Sequence, residues 1–168
     1  MDDDVTQRPV PGWSRSMGLS RVGPAPASTG DDPGVDRILI MDRIYRYAWG
    51  FDERNLDGIG ECFTEDGIWE GWIEGTEHVG PFNGRAAIQQ FMGDFFPNQV
   101  DQRRHVFTNV LIDDYDGTSA TAHAYLLLMG STQGESVPVT VGPYRFDLVK
   151  DGGVWRLAHL RGGWDSPF

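Results

Sequence analysis

The sequence predicts an α+β domain in which a curled antiparallel sheet packs over helices. Apolar residues recur at helical spacing between Val35 and about Trp49, which is typical of an amphipathic helix. Two later pairs of segments alternate apolar and polar residues around turns that contain Asp-Gly, which is typical of β-hairpins. Because the helices come first and the strands follow, the two kinds of element are expected to form separate layers around one core.

The first helix is expected to be largely buried, since its apolar face is wide. Two neighbouring stripes make up this face: Ile38, Met41, Tyr45 and Ala48, and beside them Ile40, Ile44, Tyr47 and Phe51. Asp31 or Asp32 before Pro33 is a typical N-cap followed by a proline in the first turn. Gly50 is expected to end the helix.

Two more helices and one strand are predicted in the first half of the chain. A short second helix fits LDGIGECF, and a third helix fits NGRAAIQQFMGDFF, with Asn83 as its cap and Pro97 at its end. Between them, GIWEGWIEG is typical of a strand. Its alternation places residues on opposite faces: Ile68, Glu70 and Trp72 on one, and Trp69 and Ile73 on the other.

The rest of the chain is predicted to be β-rich. Turns at residues 115–117 and 151–153 each separate two strand-like segments, RRHVFTNVLIDD from TSATAHAYLLLMGS and GPYRFDLVK from VWRLAHLRGGW. Asp-Gly in each turn supplies the positive φ that a tight hairpin requires. In the first of these strands, alternation assigns residues to two faces: His105, Phe107, Asn109 and Leu111 to one, and Val106, Thr108, Val110 and Ile112 to the other.

The chain divides into an arm and one domain. Residues 1–34 are rich in Pro, Gly, Ser and Asp and have few apolar residues to bury, so they are expected to be flexible or loosely docked. Residues 35–168 are enough for a single core. The arm lacks an apolar run long enough for a signal peptide or a membrane span, so export and membrane insertion are not expected.

Composition and charge exclude several partners. The 168 residues include 25 acidic and 14 basic side chains, for a net charge of −11, which repels nucleic acids and anionic membranes. Cys62 is the only cysteine, which excludes an internal disulfide and favours a cytoplasmic location. Six Trp, nine Phe and five Tyr can wall a cavity as well as fill a core, which favours a small hydrophobic ligand.

No cofactor or metal is predicted. The glycine-containing loops lack the Gly pattern and the Lys-Ser/Thr pair of a phosphate-binding loop. The histidines are spread along the chain without the spacing of a zinc site: His78, His105, His123 and His159. A Gly-x-Ser-x-Gly nucleophile elbow is also absent from the sequence. Acid–base chemistry by Tyr, Asp and His is therefore the remaining hypothesis.

Three residues are the candidates for this chemistry: Tyr47, Asp52 and His105. An aspartate lying across the sheet from His105 would hold the imidazole in one tautomer and favour its protonated form. Tyr47 would donate a hydrogen bond to a substrate carbonyl or a leaving hydroxyl. Tyr47 and Asp52 are five residues apart, about 140° around a helix, so they converge only if the helix ends near Gly50. If the helix continues, Tyr45 shares a face with Asp52 instead.

Other aromatic and charged side chains are candidates for the wall of a binding pocket, with a role in the core as the alternative for each. The candidates are Tyr45, Trp49, Trp69, Trp72, Phe107 and Tyr125. Arg161, late in the last strand, would hold a carboxylate or an anionic leaving group, or else pair with an acidic residue. His123 and His159 are assigned structural roles in the sheet.

Four segments resemble, in order and spacing, the SnoaL-like branch of the nuclear transport factor 2-like superfamily. They are IYRYAWGFDERNLDGIGECFTEDGIWEG, GPFNGRAAIQQFM, RRHVFTNVLIDDYDGTSATAHAYLLLM and YRFDLVKDGGVWRLAHLR, within roughly residues 35–165. The resemblance implies a cone-shaped barrel in which a curved antiparallel sheet wraps around three helices and leaves a deep apolar pocket.

Within the superfamily, the pattern is most similar to scytalone dehydratase, bile-acid 7α-dehydratase and lindane dehydrochlorinase. Asp52 and His105 match an Asp and a His that these enzymes share, and Tyr47 matches a functional Tyr of the bile-acid enzyme. Arg161 lies near the position of an Arg that contributes in the dehydrochlorinase. Ketosteroid isomerases carry their base in the first strand, where this chain has Gly71, so the resemblance disfavours that mechanism.

The resemblance implies a cofactor-independent lyase, a dehydratase that acts on a small hydrophobic cyclic or polyketide-like molecule. Two alternatives stay open. An isomerase or cyclase would use the same His–Asp pair, and a non-catalytic protein would serve as a ligand carrier or as an assembly subunit like the β subunit of ring-hydroxylating dioxygenases. Self-association as a homodimer or homotrimer through the convex face of the sheet is also expected from the resemblance.

Overall fold

The structure, a computed structural model, describes residues 32–168. The predicted arm at residues 1–34 lies almost wholly outside this range. Within it, three helices and six strands follow one another in this order: α1 (Pro33–Asp52), α2 (Leu56–Cys62), β1 (Phe63–Ile73), β2 (Glu77–Asn83), α3 (Arg85–Phe95), a 3-10 turn (Phe96–Asn98), β3 (Gln102–Asp113), β4 (Ser119–Thr132), β5 (Glu135–Asp151) and β6 (Val154–Trp164).

The six strands form one curled sheet in the order β2-β1-β6-β5-β4-β3. Helices on its inner side complete the α+β domain, as the sequence predicts. All neighbouring strands are antiparallel except β1 and β6, which are parallel. The expectation of a wholly antiparallel sheet is wrong for this pair. The two strands run in the same direction because the long excursion from β2 to β5 returns the chain to the end at which β1 began.

The core lies between the sheet and the helices. Its fully buried side chains come from both layers: Ile40, Ile44 and Tyr47 of α1, Ile88 and Met92 of α3, and Phe146, Leu148, Trp155 and Leu157 of β5 and β6. On the other apolar stripe of α1, Ile38 is 67% exposed. The buried face of α1 is therefore narrower than predicted, since its Ile38 edge lies outside the contact between helix and sheet.

The first helix starts where the sequence predicts and ends later. The carboxylate of Asp32 accepts hydrogen bonds from two backbone N–H groups of the first turn, at 2.8 and 3.4 Å, and Pro33 follows it. Gly50 does not end the helix, which continues to Asp52. Gly50 instead lets α2 approach closely, because a Cβ at this position would lie 3.1 Å from Ile59 Cγ1.

The predicted cap of α3 is wrong. Asn83 is the last residue of β2 and pairs with Ile68 of β1, so it belongs to the sheet. Gly84 takes the N-cap position, with a φ of 89° that glycine adopts without strain. Pro97 lies in the 3-10 turn directly after α3, which agrees with the predicted helix end.

The two hairpin connections differ. Between β5 and β6 the predicted tight turn is present, with Gly152 at a φ of 57° and Gly153 at 82°. Between β3 and β4 the chain forms a longer loop. Asp116 organises this loop by accepting hydrogen bonds from the backbone N–H groups of Thr118 (2.8 Å) and Ser119 (2.6 Å).

Strand β3 contains a bulge at Asn109, whose φ is 53°. The pairing register with β4 shifts between Thr108 and Leu111, so the alternation of faces reverses beyond this point. Leu111, predicted to share a face with His105, is 63% exposed instead. His105 precedes the bulge and is unaffected by it.

A buried carboxylate ties the start of α1 to the strands. Asp36 is fully buried and accepts hydrogen bonds from Trp155 Nε1 (2.9 Å), Lys150 Nζ (2.9 Å) and the Tyr115 hydroxyl (2.8 Å). Burial on its own would raise the pKa of this carboxyl, but the three donors outweigh burial and hold the pKa below its usual value. The ionised Asp36 therefore joins α1 to β5, β6 and the loop after β3.

Candidate active site

Asp52, the last residue of α1, meets His105 of β3. Asp52 Oδ1 lies 2.6 Å from His105 Nδ1, and Asp52 Oδ2 accepts a hydrogen bond from the backbone N–H of His105 at 2.9 Å. Both side chains are nearly buried, with 5% of the histidine and 8% of the aspartate exposed. The carboxylate assigns a proton to Nδ1, so Nε2 is the ring nitrogen available to a bound molecule.

Contacts around the pair fix its geometry. Gln102 Nε2 donates to the backbone carbonyl of Asp52 at 2.8 Å, and Arg104 Nη1 donates to Glu53 Oε1 at 2.7 Å. Two residues of β3 therefore hold the end of α1 in place. The Phe51 ring packs against the imidazole, with centroids 4.5 Å apart and planes at 62°. Helix, strand and ring together keep the imidazole in one orientation.

The imidazole forms part of the wall of a hollow of about 190 Å³, which we call the inner cavity. Its lining is mostly aromatic: Phe51, Trp69, Phe91, Phe95, Trp164 and Phe168. Polar groups come from Tyr47, Arg103, His105 and Tyr144. Such an apolar hollow with a few polar groups is typical of a site for a small organic molecule.

A second hollow, of about 280 Å³, lies on the Asp52 side of the imidazole and is called the outer recess. Tyr45 and Asp52 line this recess, whereas Tyr47 lines the inner cavity, and His105 lines both. The two tyrosines are separated because α1 continues through Gly50 to Asp52. A continuing helix was the condition under which Tyr45, and not Tyr47, shares a face with Asp52. The imidazole stands between the two hollows.

Tyr47 and Tyr144 bring two buried hydroxyl groups to the inner cavity. Trp69 Nε1 donates to the Tyr47 oxygen at 2.8 Å, so the Tyr47 hydroxyl can donate its own proton to another group. Burial raises the pKa of both hydroxyls, and the proximity of Tyr47 raises that of Tyr144 further. Both side chains therefore stay protonated at neutral pH and act as neutral donors.

Comparison with known families identifies the family of the chain. A family model described as a SnoaL-like domain matches residues 35–161. The chain belongs to the SnoaL-like domain family. The resemblance seen in the four sequence segments is thereby confirmed. No curated protein matches the sequence.

Solved structures share the fold of this SnoaL-like domain, among them structures from Novosphingobium aromaticivorans. A candidate aromatic ring hydroxylase is 27% identical, with 82% of this chain and 92% of that chain covered and a TM-score of 0.65. An NTF2-like protein with a cystatin-like fold is 19% identical, with coverages of 98% and 92% and a TM-score of 0.66. The β subunit of a candidate aromatic-ring-hydroxylating dioxygenase is 17% identical, with coverages of 80% and 92% and a TM-score of 0.71. The last two show the fold alone.

Two glycines make room for the aromatic wall of the SnoaL-like domain. Gly71 of β1 pairs with Gly162 of β6. A Cβ at Gly71 would lie 2.3 Å from Trp164 Cη2, and a Cβ at Gly162 would lie 2.9 Å from Tyr144 Cζ. Any side chain at position 71 would displace Trp164, which is a physical reason against a ketosteroid-isomerase base there.

We expect Gly71→Ala to destabilise the domain by about 1–3 kcal/mol, because the added methyl group overpacks against Trp164. Denaturant unfolding followed by tryptophan fluorescence measures this effect. Gly93→Ala is the matched control, since its Cβ would lie at an ordinary 3.5 Å from Leu56 Cδ1 and alanine favours a helix. Equal stability of Gly71→Ala and the wild type would contradict the packing described here.

Three residues predicted to contact a substrate lie on the outer face of the sheet. Trp72 stacks on His78, with ring centroids 4.7 Å apart. Tyr125 is 57% exposed. Arg161 Nη1 donates to Asp147 Oδ2 at 2.5 Å. Each neighbours an inward-facing residue on its strand, so alternation turns it away from both hollows.

The other predicted wall residues divide between the hollows: Trp69 lines the inner cavity, and Tyr45, Trp49 and Phe107 line the outer recess. Two polar residues of the inner cavity, Tyr144 and Arg103, were not predicted. Tyr144 alternates with the buried Phe146 and Leu148, a pattern that would have placed it inward. Arg103 lies two residues before His105, so the same alternation would have placed it on the face of His105.

Metal-binding groups and membrane-spanning helices are both missing from residues 32–168. In this range, no three His, Cys, Asp or Glu side chains are grouped so that they could hold a metal ion. No helix of the range is long and apolar enough to cross a membrane. Cys62 is buried, which raises the pKa of its thiol and makes it a core residue.

Proposed function

We propose that the protein is a cofactor-independent lyase of the dehydratase type that acts on a small hydrophobic cyclic or polyketide-like molecule in the inner cavity. Membership of the SnoaL-like family supports small-molecule chemistry of the isomerase, dehydratase or cyclase type. The observation that carries the proposal is the 2.6 Å contact between His105 and Asp52 at the wall of an aromatic hollow. A cytoplasmic location belongs to the proposal, with the single cysteine as its argument.

The proposed reaction uses His105 as base and then as acid. Nε2, to which none of the described residues hydrogen-bonds, removes a proton from the carbon next to an activating carbonyl. The electron pair of that C–H bond forms a C=C bond as the neighbouring C–O bond breaks. The imidazolium returns the proton to the departing hydroxyl, which leaves as water. Asp52 stabilises the imidazolium between the two steps.

Tyr47 stabilises the oxygen on which negative charge develops. Its hydroxyl proton is available because the Tyr47 oxygen already accepts from Trp69, and its raised pKa keeps that proton in place. A neutral donor in an apolar cavity favours the enolate-like oxygen more than the ground-state carbonyl. His105 and Tyr47 would therefore act on adjacent atoms of one bound molecule.

Product mass tests the proposed reaction. Purified protein is incubated with cyclic β-hydroxyketones, and the products are analysed by mass spectrometry. Loss of water is expected, whereas a rearranged product of unchanged mass would indicate the isomerase or cyclase alternative. If no substrate loses water and none exchanges its acidic C–H for deuterium, the proposed function is wrong.

The two non-catalytic alternatives, a ligand carrier and an assembly subunit, do not require the His105–Asp52 pair to line a cavity. A ligand carrier or an assembly subunit of a dioxygenase has no need of His105 and Asp52 at a cavity, although the dioxygenase β subunit shares the fold. The position of His105 on the wall of the inner cavity supports the enzyme instead. Co-purification with a larger iron-containing chain would favour the assembly subunit.

We expect Tyr47→Phe to lower turnover on the order of 10²-fold, as the loss of one donor to a developing oxyanion does. The variant also leaves the N–H of Trp69 without its acceptor, so circular dichroism and thermal unfolding must accompany the kinetics. Tyr45→Phe is the matched control, because Tyr45 lines the outer recess and not the inner cavity. Equal losses in the two variants would contradict the role given to Tyr47.

Exposed apolar side chains form a patch on the outer face of the sheet. Tyr125 and Leu127 of β4 are both exposed, and Val141, which pairs with Leu127 from β5, is exposed beside them. We propose that this patch is the contact of a homodimer or homotrimer, since covering it removes apolar surface from water. Light scattering should give two or three times the monomer mass, and Leu127→Lys should lower it. A monomeric wild type would contradict the proposal.

A further inference from the structure

Arg103 is the one arginine or lysine on the described lining of the inner cavity. It lies two residues before His105 on β3, so the two side chains share the inner face of the strand. Only 13% of its side chain is exposed. Its terminal nitrogens Nη1 and Nη2 are not among the buried polar atoms of residues 32–168 that lack a hydrogen-bond partner, so water or a ligand in the cavity can reach them.

The hydrogen bonds of Arg103 leave part of its guanidinium unused. Nε donates to Asp101 Oδ2 at 2.5 Å, and the Phe168 ring lies 5.5 Å from the guanidinium carbon. Across residues 32–168, no group accepts a hydrogen bond from Nη1 or Nη2. An arginine offers a planar fork of donors that fits two oxygens of one anion. The end of the Arg103 fork is therefore free to bind such an anion.

The charged groups near Arg103 do not occupy the end of its fork. Asp101, its one acidic partner among residues 32–168, contacts Nε alone. Arg104, the next residue of β3, is paired with Glu53 at the outer recess and adds nothing to the inner cavity.

We infer that Arg103 binds an anionic oxygen group of the ligand, which narrows the substrate class to cyclic molecules that carry a carboxylate or a similar group. The inference rests on the proposed function, because it concerns the ligand of the same cavity. The aromatic walls contact the planar body of the molecule, and Arg103 holds its anionic end. Neighbouring inward positions of a strand lie about 6.6–6.8 Å apart, so a ring anchored at Arg103 is within reach of His105.

Binding of two matched probes to the full-length chain tests this inference. The probes are 2-naphthoate and 2-naphthamide, which have the same ring system and differ in charge. Trp69 and Trp164 line the cavity, so quenching of tryptophan fluorescence reports binding, with calorimetry as a second measurement. Naphthoate is expected to bind roughly 10- to 100-fold more tightly than the amide, as a charge-assisted hydrogen bond allows. Equal affinities in the wild type would overturn the inference.

Two variants locate the effect. Arg103→Met should abolish the preference for naphthoate, whereas Arg104→Met should keep it, because Arg104 lies at the outer recess. A preference that persists in Arg103→Met would also overturn the inference. If Arg103→Met does not fold, Arg103→Gln takes its place, and the comparison of the two probes on the wild type remains decisive on its own.

A third variant separates this inference from the proposed function. His105→Gln should lose turnover and keep the preference for naphthoate. A wild type that prefers naphthoate but dehydrates nothing would leave the anion site standing and remove the proposed reaction. Dehydration by a wild type that does not prefer naphthoate would leave the proposed reaction standing and remove the anion site.

Discussion

His105→Gln is expected to lower turnover by roughly 10²- to 10⁴-fold, the usual contribution of a general acid–base group. Glutamine keeps a polar side chain beside Asp52 but cannot accept and return a proton. The measurement is kcat/KM for the dehydrated substrate, together with unfolding curves that show an intact fold. Both kinetic steps assigned to Nε2 would be lost in this variant.

Asp52→Asn should reduce turnover as well, because an amide cannot accept both of the hydrogen bonds that the carboxylate accepts. Asp52 accepts from both the ring and the backbone N–H of His105, and an asparagine can oppose only one of them with its oxygen. If its amide N–H faces Nδ1, the ring proton moves to Nε2, and the base is lost through the wrong tautomer.

The control for the histidine variant is His159→Gln. His159 lies on the outer face, where its Nε2 is 2.8 Å from Glu70 Oε1, and it lines neither hollow. Its replacement should leave turnover within about twofold of the wild type, because the contacts of His159 with Glu70 and Arg161 lie away from the chemistry. Equal activities of the wild type and His105→Gln would remove His105 from the mechanism.

Asp36→Ala is expected to destabilise the fold by about 3–5 kcal/mol, the usual cost of removing one partner from a buried charged network. The loss leaves Trp155, Lys150 and Tyr115 without the acceptor that they share. Urea unfolding measures the change. Asp42→Ala is the control, since its pair with Arg46 is partly exposed and worth about 0.3–0.5 kcal/mol. Equal effects of the two substitutions would contradict the structural role of Asp36.

The dependence of the unfolding free energy on pH should reveal the same stabilising contribution of Asp36. The pKa of Asp36 is lower in the folded state than its usual value, so the folded state favours the ionised form. The stability from this group is fully present above the unfolded pKa, about 3.9 for Asp, and is lost as pH falls through the lower folded value. Unfolding free energies of the wild type and Asp36→Asn should therefore converge below about pH 4. A constant difference down to pH 2 would contradict this account.

The His–Asp pair could be predicted because two kinds of information agreed. The resemblance marked Asp52 and His105, and both residues stand at ends of predicted elements where side chains from different layers meet. Their contact at 2.6 Å is set by packing between α1 and β3, which no local pattern encodes. The role of Gly50 shows the same limit, since a glycine that allows close packing looks in sequence like one that ends a helix.

The misplacement of Trp72 and Tyr125 has a physical origin in the alternation of strands. A period of two tells which residues share a face of a strand, but it does not tell which face is inside. Trp72 and Tyr125 were assigned to the pocket by residue type, and their side chains lie on the outer face of the sheet. Arg161 was given two roles, and the structure shows the second, a pair with an acidic residue, Asp147. The bulge at Asn109 adds a second source of error. Asparagine adopts a positive φ more readily than most residues, but it does so at a minority of its positions, so Asn109 alone does not predict a bulge.

Gly71 and Gly162 set how the binding site could be reshaped. Glycine has no side chain that a mutation could shorten, so substitutions at Gly71 or Gly162 cannot enlarge the inner cavity. The indole of Trp164 fills the space above Gly71. Replacing Trp164 with a smaller side chain would therefore enlarge the inner cavity along β1 and β6. Engineering of ligand size should begin at Trp164, at the cost of the packing that this side chain supplies.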